Sequence, residues 1–343
     1  MKKILYIGNK LHKHGFTPTS VETLGERLKE DFIIVQRSPF KNPILRIFDM
    51  WISVVRYRNA NFLLIDTYSS SAFWFAYSSA RLARFLHLNY IPILHGGNLP
   101  NRAKQSPKQM LYYLSKAYKV VCPSNYLIHE MRQFYDRRYE LIPNFIHIEN
   151  YVFNKKEINE DKINLLWVRS FHKTYNPQLA IKVLKDLHNQ GFTNTKLCMV
   201  GPDKDGTMDQ CSNMAEKLDM MKYLKITGRL SKTEWIELSK AYNIFINTTN
   251  YDNTPVSVME AMALGFPIVT TNVGGIPHLF KNQKEGIMVP PDNCEAFVTA
   301  IIHLATNPKE AETIAQNARK KAESWDWSEI KLSYTDILNN KSN

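Results

Sequence analysis

Asp252 and Glu260 are two carboxylates separated by seven residues in the run NTTNYDNTPVSVMEAMALGFPIVTTNVGG, Asn247 to Gly275. An apolar segment ends near Asn247. Thr254 then reads as an N-cap and Pro255 as the first helical residue. Gly265 closes the helix after Leu264. The first turn of such a helix carries unpaired N–H groups and partial positive charge, suited to phosphate or sugar oxygens. Asn253, Thr254, Val256 and Ser257 lie around that turn. Glu260 stands roughly 9 Å further along the axis than Thr254. Two carboxylates so spaced would each grip a pair of vicinal hydroxyls on one extended ligand. A solvent-facing Glu260 on an ordinary amphipathic helix is the plainer alternative.

A second group is cationic. LLWVRSFHKTYNP (Leu165–Pro177) ends an apolar run on Arg169, with Lys173 four residues on. Two fixed cations at one strand end would stabilise negative charge that develops on a group bound beside them. In isolation such a pair is also a common surface feature. His95 ends another run, LHGGNLP (Leu94–Pro100), where it would hydrogen-bond a hydroxyl or serve a structural role. YIGNKLHKHGFTPTSVETLGERL (Tyr6–Leu28) offers Gly8 and Gly15 for close backbone approach, with Lys10, His12, Lys13 and His14 adding charge. It is not a GxGxxG fingerprint, which disfavours a dinucleotide dehydrogenase. A flexible basic loop is its other reading. Gly201 in KLCMVGPDKDG and Arg229 in LKITGRL end two further runs.

The elements that must hold these residues alternate along the chain. The first half suggests strands near Ile4–Gly8, Phe32–Gln36, Phe62–Thr67, Tyr90–His95, Lys119–Pro123 and Glu140–Pro143. Helices are expected at Ser20–Lys29, Ile44–Arg58, Ala72–Leu86 and Lys108–Ala117. The second half repeats the alternation. Its strands fall near Leu165–Arg169, Lys196–Gly201, Leu224–Thr227, Ile244–Asn247, Ile268–Thr271 and Ile287–Val289. Its helices are expected at Pro177–Gln190, Lys232–Ala241, Val256–Leu264, Glu295–Thr306 and Ala311–Ser324. Alternating strands and helices imply parallel sheets covered on both faces. The expectation is a basic N-terminal Rossmann-like domain over 1–150, a polar linker over 151–162 and a second such domain over 163–324. A C-terminal helix over 325–343 would pack back on the first domain. Ligands of open parallel sheets sit at the carboxyl ends of the strands. Two doubly wound domains facing across a cleft would line it with the loops after Gly8, His95, Arg169, Gly201, Gly228 and Asn247.

Composition narrows the field. With 44% apolar residues, the 343-residue chain has ample core material. Four scattered cysteines show no metal-ligand spacing and read as buried thiols of a reducing compartment. The opening MKKILYIGNK lacks the long apolar run of a signal peptide, and no window suits a transmembrane helix, so a cytoplasmic location is expected. The net charge is +12. Residues 1–150 hold 21 Lys and Arg against 10 Asp and Glu, whereas the rest holds 23 against 22. Such asymmetry points to an anionic partner for the first half. LRIFDMWISVVRYR (Leu45–Arg58) interleaves Trp51 and Tyr57 with Arg46, Arg56 and Arg58. A basic amphipathic helix of this kind would lie on an anionic membrane surface, at the inner face of the cell membrane, or pack in the core with a solvated basic edge.

The run from Asn247 to Gly275 resembles the donor-site motif of the retaining GT-B glycosyltransferases of family 4, the glycosyl transferases group 1. There two acids separated by seven residues precede a small-residue helix and a glycine–proline strand entry, here AMALGFPIV. The resemblance covers nearly the whole chain and implies a GT-B, α/β architecture. It implies that Asp252 contacts the donor sugar, Glu260 the ribose, and that Arg169 and Lys173 clamp the diphosphate. His95 would face the reacting sugar. The strand after Lys196, with Gly201, and the strand at Leu224–Leu230, with Arg229, would lie beside the nucleobase. YKVVCPSNYL and LIPNFI match the last strands of the first domain. Four departures stand out: Asp252 where Glu is usual, Pro255 and Val168 where Gly is common, and His278, in VGGIPHLF, where an acid is usual. The family's mechanism is front-face, with the departing diphosphate helping to deprotonate the acceptor and no enzyme nucleophile.

The expected function is transfer of a hexose from a nucleotide diphosphate sugar, UDP before GDP, with retention. The acceptor would be a saccharide or lipid-linked saccharide in bacterial cell-surface polysaccharide synthesis. No cofactor and no metal is expected, since the cations come from Arg169, Lys173 and the helix dipole. A nucleotide-sugar epimerase of the same architecture is the alternative enzyme. A basic nucleic-acid-binding protein is the alternative from another class, though no nucleic-acid module is present.

Overall fold

The computed structural model describes residues 1–14 and 18–339. The chain divides into two compact units. One is Met1–Pro143 together with the chain from Ser328 onward, and the other is Asn144–Trp327.

The first unit alternates β1 (Lys3–Ile7), α1 (Ser20–Arg27), β2 (Ile33–Arg37), α2 (Pro43–Arg56), β3 (Phe62–Thr67), α3 (Ala72–Phe85) and β4 (Tyr90–Leu94). It continues with α4 (Leu99–Gln105), α5 (Pro107–Ser115), β5 (Val121–Cys122), α6 (Asn125–Arg132) and β6 (Glu140–Leu141). All six strands are parallel, in the order β2-β1-β3-β4-β5-β6. Strands buried on both faces read as unbroken apolar runs. FLLIDT in β3 and YIPIL in β4 do so, and every residue of both is buried. The polar exceptions in β3 are Asp66 and Thr67, at its carboxyl end. The order turns back between β1 and β3, so Gly8 and Asp66 flank the switch point where such sheets bind ligands.

The second unit runs β7 (Asn164–Val168), α7 (Pro177–Asn189), β8 (Lys196–Val200), α8 (Thr207–Lys217), β9 (Leu224–Gly228), α9 (Lys232–Ser239) and β10 (Ile244–Asn247). Then come α10 (Val256–Ala263), β11 (Ile268–Thr271), α11 (Ile276–Leu279), β12 (Ile287–Val289), α12 (Cys294–Thr306) and α13 (Pro308–Glu323). Its sheet is also parallel, in the order β12-β11-β10-β7-β8-β9. That is the nucleotide-binding order, with its switch point between β7 and β10. The period of two sorts the side chains between two cores. Leu165, Trp167, Leu197, Met199, Ile244 and Ile246 enter one. Leu166, Cys198, Val200, Phe245 and Ile268 enter the other. Trp167 is fully buried, and its Nε1 donates to Thr248 Oγ1 at 3.0 Å.

A last helix, α14 (Trp327–Asn339), ends the described chain. Within the first unit, Lys331 of α14 pairs with Glu30 at 2.9 Å and Asp31 at 3.0 Å. Lys2 Nζ donates to the carbonyls of Leu338 and Asn339. The segment 151–162, polar in sequence, lies inside the second unit and buries Tyr151 and Ile158.

Among the described residues, Lys156 in that segment has no carboxylate partner. Its Nζ sits 4.0 Å from the centre of the Phe266 ring and donates to Ser239 O at 3.3 Å. Burial pulls its pKa down to about 8. The folded state therefore disfavours the charged amine. Lys156→Met is expected to raise the thermal midpoint at neutral pH by about 2–4 °C, the shift that ~1 kcal/mol gives a domain of this size. Between pH 8 and about 10.4 the unfolded wild type binds more protons than the folded one, so wild-type stability rises there. The advantage of the variant should accordingly be full below pH 8 and fade above it, as a melting series across that window would read.

Candidate functional site

Arg169 is the first residue after β7, at the switch point of its sheet. Its guanidinium is largely buried and forms an ion pair with Asp252, from the loop after β10. The guanidinium carbon lies 4.3 Å from the centre of the Tyr175 ring. Burial lowers the Arg169 pKa, while Tyr175 and the charge of Glu260 oppose that shift. Arginine remains charged in any such setting. Its Nε is buried and has no hydrogen-bond partner among the described residues. A fixed cation with a donor atom still unused is thus held beside two carboxylates.

Three glycines make the arrangement possible. Gly201 follows β8 at φ +152°, and a Cβ there would lie 1.7 Å from Arg169 O. Gly274, at φ +53°, would meet Asp252 O at 2.0 Å, and Gly275 would meet Asn253 O at 1.8 Å. The Gly275 N–H donates to Asp252 O at 3.0 Å. The Val273-Gly-Gly turn therefore clasps the loop that carries Asp252.

Glu260 sits on α10 and is buried. Its Oε1 accepts from the Tyr151 hydroxyl at 2.9 Å and pairs with Lys232 Nζ. Burial, then the Glu260 charge and hydrogen bond, push the Tyr151 pKa up, so the phenol stays a donor. The solvent-facing alternative for Glu260 is excluded. The helix start differs from the expectation in one respect. Pro255 is the N-cap, with extended ψ of 105°, and Val256 is the first helical residue. The Pro255 carbonyl accepts from the Val258 and Met259 N–H groups, which leaves Val256 and Ser257 as the leading N–H groups. Thr254 does not cap. Its Oγ1 and the Ser257 Oγ are buried and unpaired among the described residues.

The remaining expected residues of this unit are more peripheral. Lys173 opens a short 3-10 turn with its side chain exposed, and its N–H donates to Asp205 Oδ2 at 3.0 Å. Arg229 is exposed just after β9, Asn253 is buried, and His278 is exposed on α11. No group of three or more His, Cys, Asp or Glu side chains that would hold a metal ion occurs among the described residues.

In the first unit, His95 follows β4, and its Nε2 lies 2.8 Å from Asp66 Oδ1. The same oxygen accepts from the Tyr6 hydroxyl at 2.7 Å, and Oδ2 accepts from Val21 N–H at 3.0 Å. An ionised carboxylate only accepts, so His95 Nε2 carries the hydrogen and Nδ1 is the acceptor of the neutral ring. Tyr68 stacks on the imidazole with centroids 5.4 Å apart. A Cβ on Gly8 would lie 2.6 Å from Asp66 Oδ2, so the glycine admits the carboxylate. Gly15 lies outside the described residues.

Residues 149–321 match the family model of the glycosyl transferases group 1. The chain belongs to that family. The matched segment holds Arg169, Lys173, Asp252 and Glu260. The fold is GT-B. The structure is similar to sucrose-phosphate synthase from Thermosynechococcus elongatus, with TM-score 0.80 and 14% identity over 98% of both chains. It is similar to Anabaena HepE in complex with UDP-glucose, with TM-score 0.73 and 17% identity over 98% of both chains. In sequence it is similar to an Escherichia coli protein, UDP-Gal:alpha-D-GlcNAc-diphosphoundecaprenol alpha-1,3-galactosyltransferase. That match is 20% identical over 195 residues and takes in 53% of this chain and 48% of the relative's length.

Five contributors escape the motif-by-motif reading: Tyr151, Tyr175, Lys232, Asp66 and Tyr6. Asp66 alone carried a sequence signal, a carboxylate inside the apolar run FLLIDT. Lys232 belongs to the capping box of Ser231 and Glu234, which announces a helix and says nothing of Glu260. Gly201→Ala should push the Arg169 backbone out of place and destabilise the second unit by several kcal/mol, of order 3 or more for a clash with no room to relax. A urea titration reads it. Wild-type stability in this variant would contradict the close approach.

Proposed function

We propose that the chain transfers a hexose from a uridine diphosphate sugar to a hydroxyl of a saccharide or lipid-linked saccharide, with retention of configuration. The observation that carries this reading is the buried Arg169 guanidinium, held beside Asp252 and in the field of Glu260 at the switch point of the second sheet. Glu260 would take the ribose hydroxyls, and Asp252 with the loop to Ser257 would take the sugar. Arg169, joined by Lys173 as its exposed side chain swings in, would receive the diphosphate.

The chemistry follows from charge. The bond between the anomeric carbon and the diphosphate oxygen breaks, and its electron pair leaves with the phosphate. Fixed cations placed where that charge develops stabilise the transition state more than the ground state. The acceptor hydroxyl would attack from the same face, passing its proton to the departing phosphate oxygen. His95, with Nδ1 as acceptor, would orient a hydroxyl, and Asp66 holds the tautomer. Since Arg169, Lys173 and the α10 N-terminus supply the positive charge, we propose that no metal takes part. A uridine donor and a lipid-linked acceptor are supported by the Escherichia coli relative, named for UDP-galactose and a diphosphoundecaprenol acceptor, and by the UDP-glucose complex of Anabaena HepE. By the same reasoning the setting is cell-surface polysaccharide synthesis in the bacterial cytoplasm.

Glu260→Ala is expected to weaken donor binding about 100-fold, the worth of charged hydrogen bonds near 3 kcal/mol. Arg169→Ala should lower kcat about 100- to 1000-fold with a smaller change in KM. Thermal shift against UDP, GDP and their sugars reads the first, and steady-state transfer reads the second. Normal transfer by Glu260→Ala would overturn the assignment. The product's anomer decides retention, an epimer formed without acceptor would indicate the isomerase instead, and transfer should survive EDTA.

A further inference from the structure

Helix α2 has two apolar faces. At about 100° per residue, its buried Arg46, Met50, Ser53 and Val54 span roughly 180° to 280° of the helical wheel, counted from Ile44. Ile44, Leu45, Phe48, Ile52 and Val55 span the opposite arc, from 0° to about 100°. All five are exposed: Ile44 and Ile52 at 64% and 63%, Phe48 at 51%. Phe40, just before the helix, is exposed as well. Single exposed apolar residues are ordinary, but a continuous stripe of five along one helix marks an interaction surface.

The charge around the stripe is one-sided. Lys41 precedes it, and Arg56 and Arg58 follow it, all exposed. Asp49, on the flank, is half-buried. The neighbouring α3 is tied to α2 by the Trp51 indole, which donates to Ser78 Oγ at 3.1 Å. This helix has no acidic residue and exposes Trp74, Arg81, Arg84 and Phe85. Between Asp31 and Glu130 the chain carries twelve Lys and Arg and only two acids, Asp49 and the buried Asp66.

We propose that the outer face of α2 is the docking surface of this protein on an anionic lipid bilayer. Ile44, Phe48 and Ile52 would enter the acyl boundary, and Lys41, Arg56 and Arg58 would lie at headgroup level. The structure departs here from the sequence expectation. Arg46 is turned inward, donating to the carbonyls of Phe40 and Lys41 and to Asn9 Oδ1, and Trp51 is half-buried. Neither reaches the lipid, and the contact is made by aliphatic residues and Phe48. Charge also separates the bilayer from a second copy of this chain. A self-complementary contact would set like cations against each other with no exposed acid from residues 32 to 65 to answer them. The apolar stripe separates it from a nucleic acid, which rewards cations and offers no acyl region.

The test is co-sedimentation of the purified chain with vesicles of phosphatidylcholine alone or with one-third phosphatidylglycerol, at low and high salt, without donor or acceptor. Its outcome is thus independent of the transfer reaction. Wild type should pellet with the anionic vesicles and release as salt screens the attraction. The triple variant Ile44→Ser, Phe48→Ser, Ile52→Ser should bind at least about tenfold more weakly. Arg56→Glu with Arg58→Glu should do the same while keeping the wild-type melting temperature. Undiminished binding by the triple variant would overturn the proposal. So would a wild type that ignores vesicles but self-associates through the stripe, or binds a nucleic acid regardless of it.

Discussion

A guanidinium taken out of water is costly, by several kcal/mol per ion even after relaxation. Arg169 is held largely out of water at the carboxyl end of β7, and the second unit is organised around offsetting that cost. Asp252 neutralises it directly, Tyr175 stacks on it, and Glu260 lends its field. Each demands something of the backbone. Asp252 can approach only because Gly274 and Gly275 leave no side chain against its loop. Arg169 can sit where it does only because Gly201 lacks a Cβ. A cation so fixed needs little reorganisation when negative charge arrives, which is where electrostatic catalysis gains most.

The first unit solves a related problem with a different group. Asp66 is a buried anion with three donors: Tyr6, His95 and the Val21 N–H. The carboxylate fixes which imidazole nitrogen bears the proton, and Tyr68 fixes the ring plane. His95 therefore presents one defined atom rather than two interchangeable ones. Asp66 and Gly8 flank the switch point of their sheet, as Arg169 and Asp252 flank theirs. The same topological rule placed an anion in one unit and a cation in the other.

What the sequence made legible was what repeats or stands in order. Twelve runs rich in apolar residues announced twelve strands, most plainly where a strand such as β3 or β4 is buried on both faces. Helices with a broad apolar stripe, such as α7 and α12, were equally plain. Those missed, α4, α6, α8 and α11, are short or of mixed polarity, and α11 is a single turn. Asp252, Glu260 and Arg169 were legible because their spacing survives as a motif. Tyr151 and Lys232 were not, since they lie 109 and 28 residues from Glu260 and meet it only through the fold. Thr254 misled for a local reason. Threonine before proline has the signature of a cap, yet Pro255 keeps an extended ψ and takes the cap position itself.

The two halves of the chain therefore use charge in different ways, and the difference bears on what each can recognise. In the second unit cations and anions are nearly equal in number, and those at its site are matched to partners. Glu260 has Lys232, and Asp252 has Arg169. Any ligand of such a network would have to exchange partners with it, and it would be selected by geometry because an unmatched buried charge is costly. In the first unit long stretches have cations with no acids to answer them, and α2 sets them beside bare apolar surface. A surface of that kind discriminates weakly among shapes and strongly among phases. Precise recognition of a small anionic molecule and loose attachment to an extended anionic surface are different physical tasks. One requires charges paired and buried, the other charges gathered and exposed, and the two sheets of this chain carry one arrangement each.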